Sequence, residues 1–569
     1  MNSNADNKSS SLSPSVVSSM LWAASADAMG WTTELIDGPD ALFKRAGTRR
    51  VESPVLWRKK VGGWAGVDVV IPAGTYSDDT QLRLSVCRAI RGDGSFDVEA
   101  FAKVELPVWQ NYALGAGLGS KAAAANMGKR GVNWFSNFFE TKKQSYIRGG
   151  GNGAAMRIQP HVWASRPGAL DKMVLAVFRD SIVTHGNPHG FCGAYFHALC
   201  LFDVFEDGDV PGPAAWGRYA NALLEIPDRI AEDSQLSSFW LSNWEDQSGT
   251  SIASEMKNIR EVVCRDIDAI ERIAYRDSVE GYHDILDALG CFKRELRGSG
   301  IKTALAAAAL SWLHKSSSVK QAIIAGVNEF GSDTDTIATM AASISGALAE
   351  PPGWTIQDRN YLEMEASRLQ SIRSGAGAVN FVYPDLSKWR VPGSQVAAVV
   401  CDDKGLALTG LGRLAPCSDI YSSGDDCWQW MRLPFGQTVF SKRKKIVSGG
   451  FDQDQFGSER SGGNRPTKDD LKIMHNMSRS RRDVRDSRDF KSGAELSFKP
   501  VVDPPADNFS DEVMSIDEIT ASIIRGDFSP LEIGRAMVAL IDSTNSIELP
   551  VALAAVIAKA RIARNRKLR

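Results

Sequence analysis

Long runs of alanine, leucine and isoleucine with little alternation dominate the first two thirds of the chain. The segments TALAAAALSWLHK at 303–315 and DTIATMAASISGALAE at 335–350 show this pattern clearly. Such runs predict helices, and the small side chains of 337–349 predict a helix that its neighbours approach closely on most sides. We therefore expect a disordered polar tail at 1–14, followed by one mainly α-helical domain at 15–390.

The pattern changes after Pro392, where two apolar runs flank the turn sequence DDKG in SQVAAVVCDDKGLALTG. This predicts a β-hairpin inside a small appendage at 391–440. Residues 441–510 are rich in Gly, Ser and basic residues and lack a sustained apolar face, which is typical of a flexible basic linker. Helical periodicity returns in SIDEITASIIRG and SPLEIGRAMVALIDS, so we expect a small helical unit at 511–569.

The composition is that of a soluble globular protein. The 569 residues are too many for a single hydrophobic core, and 43% hydrophobic residues, 24% charged residues and a net charge of -2 exclude fibrous and strongly polyelectrolyte classes. The eight cysteines form no C-x-x-C pair, and the N-terminus lacks an apolar signal segment. We expect a cytoplasmic protein without membrane contact.

Two short segments place hard oxygen donors at helix starts. In GTYSDDTQLRLSVCRAI at 74–90, the apolar positions Leu82, Val86 and Ile90 predict a helix. Its first residues carry the donors Ser77, Asp78, Asp79 and Thr80. In GSDTDTIATMAASISGA the donors are Asp333, Asp335 and Thr336. Carboxylates and hydroxyls without His or Cys favour Mg²⁺ or Mn²⁺ over zinc.

Helix capping is the alternative interpretation of each cluster, because Ser, Thr and Asp commonly occupy helix starts. Two such clusters in one domain are harder to explain as caps alone. Four carboxylates brought together would repel one another unless a cation neutralised them. A shared site for two metal ions resolves that repulsion.

A glycine-rich segment, RGGGNGAAMRIQPHVWA at 148–164, lies between the two clusters. Glycines allow backbone N–H groups to approach an anion closely, as in loops that bind phosphate. The segment is neither G-x-G-x-x-G after a strand nor a Walker loop, so an ordinary glycine-rich turn remains the alternative.

Five segments in the same order resemble the motifs of the ADP-ribosylglycohydrolase family, which includes dinitrogenase reductase-activating glycohydrolase. They are ASADAMGWTTE at 24–34, YSDDT at 76–80, GNGAAMR at 151–157, THGNPHGFCGA at 184–194 and GSDTDTIA at 331–338. The resemblance implies an all-α orthogonal helix bundle of that family. Ala26, Ser77 and Ser332 depart from the family's usual residues, although Ser77 keeps the hydroxyl.

The resemblance also implies roles for individual residues. It implies two Mg²⁺ ions, replaceable by Mn²⁺, on Ser77, Asp78, Asp79, Asp333, Asp335 and Thr336. It implies ADP-ribose contacts from Gly149, Gly150, Gly151, Asn152, Gly153, Ala154, Met156 and His185. For proton transfer it leaves three carboxylates as candidates, namely Glu34, Asp79 and Asp333. A surface position for Glu34 and a purely structural role for His185 remain the alternatives.

We therefore expect a hydrolase that cleaves the C1″ glycosidic bond of ADP-ribose attached to a macromolecular acceptor, reversing ADP-ribosylation. One alternative is cleavage of ADP-ribosylated nucleic acid or small ADP-ribose conjugates. The basic linker, or the basic end formed by Lys559, Arg561, Arg564, Arg566, Lys567 and Arg569, would then contact nucleic acid. Another alternative is a non-catalytic member that only binds ADP-ribose or has a structural role. Because every candidate motif precedes Ala349, we also expect a chain that ends near Tyr383 to fold and keep its chemistry.

Overall fold

The structure is mainly helical, as the sequence predicts. This computed structural model describes residues 13–277, 281–447, 450–457, 516–544 and 548–567. The helices before residue 390 are α1 Val16–Thr33, α2 Pro39–Ala46, α3 Asp78–Ala89, α4 Val98–Ala100, α5 Leu106–Trp109, α6 Leu118–Met127, α7 Gln159–Ala164, α8 Leu170–Thr184, α9 Pro188–Asp207, α10 Pro213–Ala222, α11 Ile226–Glu232, α12 Leu241–Ser248, α13 Ile252–Asp277, α14 Tyr282–Leu289, α15 Gly300–Leu313, α16 Val319–Val327, α17 Thr334–Gly346 and α18 Arg359–Arg373.

Short helical turns and a smaller β component complete the described elements. The strands are β1 Trp57–Val61, β2 Val67–Ile71, β3 Val399–Asp402, β4 Gly405–Leu408, β5 Gly412–Arg413, β6 Ala415–Pro416, β7 Tyr421–Ser423, β8 Asp426–Arg432 and β9 Thr438–Lys444. Single π-helical turns are Phe101–Glu105 and Leu236–Trp240, and 3₁₀ turns are Trp134–Ser136, Ala155–Arg157, Leu223–Glu225, Val396–Ala398 and Gln453–Gln455. The C-terminal helices are α19 Ile516–Arg525, α20 Pro530–Thr544 and α21 Glu548–Lys567.

Helices α1 and α17 pack against each other in opposite directions at the centre of the domain. A Cβ atom added at Gly30, near the end of α1, would lie 2.4 Å from the Cα atom of Asp335 at the start of α17. A Cβ atom added at Gly346, at the other end of α17, would lie 2.6 Å from Trp22 Cβ. These contacts require residues without a side chain, and both helices are buried along almost their whole length. The predicted small-residue helix is thereby confirmed.

Strands β1 and β2 form an antiparallel hairpin inserted between α2 and α3, with Trp57 opposite Ile71 and Val61 opposite Val67. Its inner face belongs to a separate hydrophobic cluster. That cluster contains Trp31, Trp57, Val67, Val69, Ile71, Leu114, Trp428, Trp430 and Phe440. The hairpin therefore packs against the end of α1 on one side and against the C-terminal strands on the other.

The C-terminal strands form two small antiparallel sheets, with strand order β3-β4-β5 in one, and β6-β8-β7 with β9 also paired to β8 in the other. Asp402 pairs with Gly405 across the turn between β3 and β4. This is the hairpin that the DDKG sequence predicts.

The hydrophobic core continues from the helices into these strands. Leu408, Met431 and Val439 belong to the same cluster as the helical core. The buried Arg88 guanidinium pairs with both carboxylate oxygens of Glu105 at 2.7 Å and donates to Gln437 Oε1 at 2.8 Å, just before β9. The hydrophobic core therefore continues across the predicted boundary between 15–390 and 391–440. A chain ending near Tyr383 would lose part of that core.

Strand β9 extends to Lys444, so the predicted linker at 441–510 begins too early. Residues 1–12 of the predicted tail, and residues 448–449 and 458–510 of the predicted linker, lie outside the described residues. Within the described part of the chain, no helix has the combined length and apolar character that a membrane crossing requires.

The C-terminal helices have a small core of their own, which includes Ile523, Phe528 and Leu553. Val556 of α21 joins the main core, and Lys559 Nζ lies 5.9 Å from the Phe239 ring centroid. The Arg561 and Arg564 guanidinium groups lie 5.4 and 5.8 Å from the Phe528 ring centroid. These three basic residues of the predicted nucleic-acid contact thus lie near aromatic rings of the chain, while Lys559 and Arg561 stay exposed to solvent. The nucleic-acid contact stays a prediction.

Ending the chain at Tyr383 should abolish cooperative unfolding, whereas ending it at Gly457 should preserve it. The shorter chain lacks Leu408, Met431 and Val439, and each buried apolar side chain contributes about 1.5–3 kcal/mol. It also lacks Gln437, which leaves part of the buried Arg88 guanidinium unpaired. Thermal unfolding followed by circular dichroism distinguishes the two chains. A cooperative transition for the chain ending at Tyr383, at the temperature of the longer one, would contradict this account of the core.

Candidate active site

The site is built around the buried carboxylate of Asp27, in the middle of α1. One oxygen of Asp27 accepts from the backbone N–H of Ser77 at 3.0 Å. The other accepts from the N–H and the hydroxyl of Thr80 at 3.0 and 2.6 Å. Asp27 thus satisfies donors that the start of α3 leaves free, and it holds that start against α1. Its role was not predicted, although a lone acid in the apolar sequence of α1 was a signal for it.

The start of α3 presents the first predicted cluster. Ser77 Oγ accepts from the N–H of Asp79 at 3.2 Å, so Ser77 is a helix cap, as the alternative interpretation proposed. Capping does not account for Asp79, whose Oδ2 is buried without a hydrogen-bond partner. Asp78 lies against Gly115, where an added Cβ atom would be 2.9 Å from Asp78 Oδ1.

The start of α17 presents the second cluster. Asp333 occupies the cap position but makes no side-chain cap bond, and its Oδ2 accepts from Asn152 Nδ2 at 2.9 Å instead. Asp335 Oδ1 accepts from the N–H of Thr336 at 2.9 Å. The Thr336 hydroxyl lies 3.5 Å from Asp79 Oδ1 on α3. The structure therefore brings the two predicted clusters together.

Burial raises the pKa of Asp78, Asp79 and Asp335 well above the usual range of a carboxyl group. Neighbouring carboxylates raise these pKa values further, including Glu34 beside Asp78 and Asp335, and Asp27 beside Asp79. The negative charges are thus poorly compensated by the protein itself, which is the situation that a bound cation relieves.

Across the described residues, no three His, Cys, Asp or Glu side chains are arranged so that they could hold a metal ion. The six predicted ligands include the hydroxyls of Ser77 and Thr336 as well as four carboxylates. Their role as metal ligands therefore stays a prediction.

The glycine loop at 149–153 runs beside the start of α17. The N–H of Gly300 donates to the carbonyl of Gly150 at 2.9 Å, and Gly151 pairs with Ser299 in an isolated bridge. Gly149 to Asn152 are partly exposed, whereas Gly153, Ala154 and Met156 are buried. The side chains of Ala154 and Met156 are buried, so these two residues could contact a ligand only through their backbone. That contact stays a prediction.

Two buried arginines anchor the glycine loop, and the sequence did not predict their roles. Arg157 donates to the carbonyl of Gly153 at 2.8 Å and pairs with the buried Asp180. Arg83 of α3 donates to the carbonyl of Met156 and to Thr339 Oγ1 of α17, each at 2.9 Å. The available signal for Arg83 was a charged residue between the apolar residues Leu82 and Leu84.

His185 lies beneath the glycine loop. An added Cβ atom at Gly153 would lie 3.0 Å from its Cε1, and its Nδ1 is 2.7 Å from Thr184 Oγ1. Burial, together with the nearby charge of Arg157, lowers the pKa of His185 to about 3. The imidazole is therefore neutral and supports the loop, while direct contact with a ligand stays a prediction.

Glu34 follows the last turn of α1, and its side chain is about one-sixth exposed, at 17%. Burial raises the pKa of Glu34 to about 7, with Lys59 lowering it and Asp333 raising it. Its carbonyl accepts from Arg45 Nη1 at 2.7 Å, which fixes the backbone at this position. Glu34 is thus a partly exposed carboxyl group at the edge of the buried cluster.

Three comparisons relate this chain to known proteins. A protein-family profile described as ADP-ribosylglycohydrolase matches residues 9–373. ADP-ribosylhydrolase ARH3 of Xenopus tropicalis is 24% identical over 302 residues, which is 51% of this chain and 79% of that protein. A solved structure described as an ADP-ribosylglycohydrolase-related protein complex shares 18% identity with a TM-score of 0.38, covering 63% of this chain and 97% of that chain. The family profile spans both acidic helix starts and the glycine loop.

Replacing Asp27 with Asn should lower the free energy of unfolding by about 1–3 kcal/mol. The Asn amide would place a donor against a backbone N–H that now donates to a carboxylate oxygen. Urea denaturation measures this change, and Asp37→Asn at the exposed position after α1 is the matched control. Equal stability of the Asp27→Asn variant and the wild type would show that Asp27 does not hold α3 in place.

Proposed function

The chain belongs to the ADP-ribosylglycohydrolase family, and on that premise we propose that it is an active hydrolase that removes ADP-ribose from a modified macromolecule. Cleavage breaks the bond between C1″ and the acceptor, adds the hydroxyl of water to C1″, and returns a proton to the acceptor. The observation that carries the proposal is the meeting of two acidic helix starts at Asp79 and Thr336, beneath a partly exposed Glu34.

We propose that two Mg²⁺ ions, replaceable by Mn²⁺, bind at this meeting point. The donor chemistry fits them, because carboxylate and hydroxyl oxygens are the ligands that these ions prefer. The unpartnered Asp79 Oδ2 and the crowded carboxylates supply a reason for positive charge to bind there. The proposed ligands are Ser77, Asp78, Asp79, Asp333, Asp335 and Thr336. When bound, the ions would supply compensating charge and Lewis acidity.

The other proposed roles belong to groups of the chain itself. The partly exposed backbone of Gly149 to Asn152 would bind the diphosphate and distal ribose, with Asn152 holding Asp333 in position. Glu34 would move the proton between water and acceptor, because its pKa of about 7 suits a group that both gains and loses a proton near neutral pH. Asp79 and Asp333 remain the other candidates for proton transfer.

Hydrolysis of an ADP-ribosylated peptide tests the proposal. Free ADP-ribose should appear only when Mg²⁺ or Mn²⁺ is present, and excess chelator should stop its release. The Asp79→Ala and Asp335→Ala variants should each lose at least about a hundredfold in kcat/KM, since the loss of a mere outer-sphere contact already costs 10–100-fold. Asp37→Ala, at an exposed position, should retain the wild-type rate.

Two outcomes would contradict different parts of the proposal. Full turnover in excess chelator would exclude the metal ions and leave hydrolysis intact. No release of ADP-ribose from peptides modified on any type of side chain, with Mg²⁺ present, would exclude the hydrolase.

A further inference from the structure

The β1–β2 hairpin brings a lysine to the candidate active site. Side chains alternate along β1, so that Trp57 is buried and Lys59 is half-buried while Arg58 and Lys60 are exposed on the other face. The Lys59 ammonium lies 4.0 Å from Glu34 Oε2. Lys59 is therefore the residue that the hairpin directs toward the site.

Two tryptophan rings hold the Lys59 ammonium in this position. It lies 4.9 Å from the centroid of the Trp31 ring and 5.3 Å from that of Trp57. The two rings pack edge to face, with centroids 4.9 Å apart, and both are buried. An ammonium over aromatic faces is attracted by their negative charge density, so this arrangement limits the motion of an otherwise flexible side chain.

Arg45 adds a second positive charge on the same side of the site. Its Nη1 donates to the carbonyl of Glu34 at 2.7 Å and to that of Thr32 at 3.2 Å. Its guanidinium carbon lies 5.6 Å from the Trp57 ring centroid. Glu34 is thus flanked by cations from both α2 and β1.

The glycine loop and Lys59 interact with different carboxylates of the acidic cluster. Asn152 of the loop donates a hydrogen bond to Asp333, whereas the Lys59 ammonium lies 4.0 Å from Glu34 Oε2. Burial lowers the pKa of Lys59, and the negative charges of Glu34, Asp335 and Asp78 raise it. If ADP-ribose lies along the loop, as in the proposed function on which this inference rests, its acceptor extends past Glu34 toward Lys59. The acceptor group then meets a positive charge as it leaves.

We propose that Lys59 is a specificity-determining residue that holds Glu34 in position and selects against acceptors carrying a positive charge. A guanidinium acceptor within about 7 Å of the Lys59 ammonium would be repelled, and the half-buried position of Lys59 reduces screening by water. An uncharged acceptor meets no such repulsion. The chain therefore discriminates between acceptors through a residue outside the metal-binding and glycine-loop segments.

Two peptides of the same sequence, carrying ADP-ribose on a serine in one and on an arginine in the other, test this inference with Mg²⁺ present. The wild type should favour the serine-linked peptide in kcat/KM. Lys59→Met should reduce that preference by at least about tenfold, and Lys59→Gln should have the same effect if Met disturbs the tryptophan contacts. Lys59→Arg should restore the preference, and Lys60→Met on the opposite face of β1 should leave it unchanged.

The possible failures separate this inference from the proposed function. A wild type that favours the arginine-linked peptide, or Lys59 variants that fold and keep the wild-type preference, would overturn the role of Lys59 while leaving hydrolysis established. Thermal unfolding of each variant shows whether it folds. Release of ADP-ribose from neither peptide would instead overturn the proposed function and this inference with it.

Discussion

Asp27 makes the interaction on which the candidate site depends. Its buried carboxylate accepts hydrogen bonds from the backbone of Ser77 and Thr80 and fixes the start of α3 against α1. The close contact between Gly30 and Asp335 fixes the start of α17 against the same helix. Because both contacts are made by α1, the two acidic helix starts stay together in a tightly packed core even though their charges repel.

The elements around this buried acidic cluster position the glycine loop and a positively charged lysine beside it. Arg83 and Arg157 hold the glycine loop from below, so that its partly exposed backbone faces outward beside Asp333. On the other side, the β1–β2 hairpin directs Lys59 toward Glu34. The C-terminal strands stabilise this hairpin, since an added Cβ atom at Gly62 would lie 2.6 Å from the Trp428 ring. They therefore belong to the architecture of the site.

Much of this arrangement can be predicted from the sequence, because several of the residues that determine it lie close together along the chain. Runs of small apolar residues predict a buried α17, and hydroxyls beside paired aspartates mark both acidic helix starts. The role of Asp27 depends on a contact across 50 residues, and that of Arg83 on one across 73, which spacing along the chain does not reveal. For the same reason, the hydrophobic core crosses the boundary expected near residue 390. A change in the local pattern of apolar and polar residues does not show that β8 and β9 pack against helices far earlier in the chain.

We propose that the two acidic helix starts form one site for two divalent cations. Titration of the full chain with Mn²⁺, followed by electron paramagnetic resonance of the free ion, measures this directly. We expect two bound ions per chain, weaker binding after Asp335→Asn, and unchanged binding after Asp37→Asn. A wild type that binds no Mn²⁺, or that binds it equally well after Asp335→Asn, would contradict the claim.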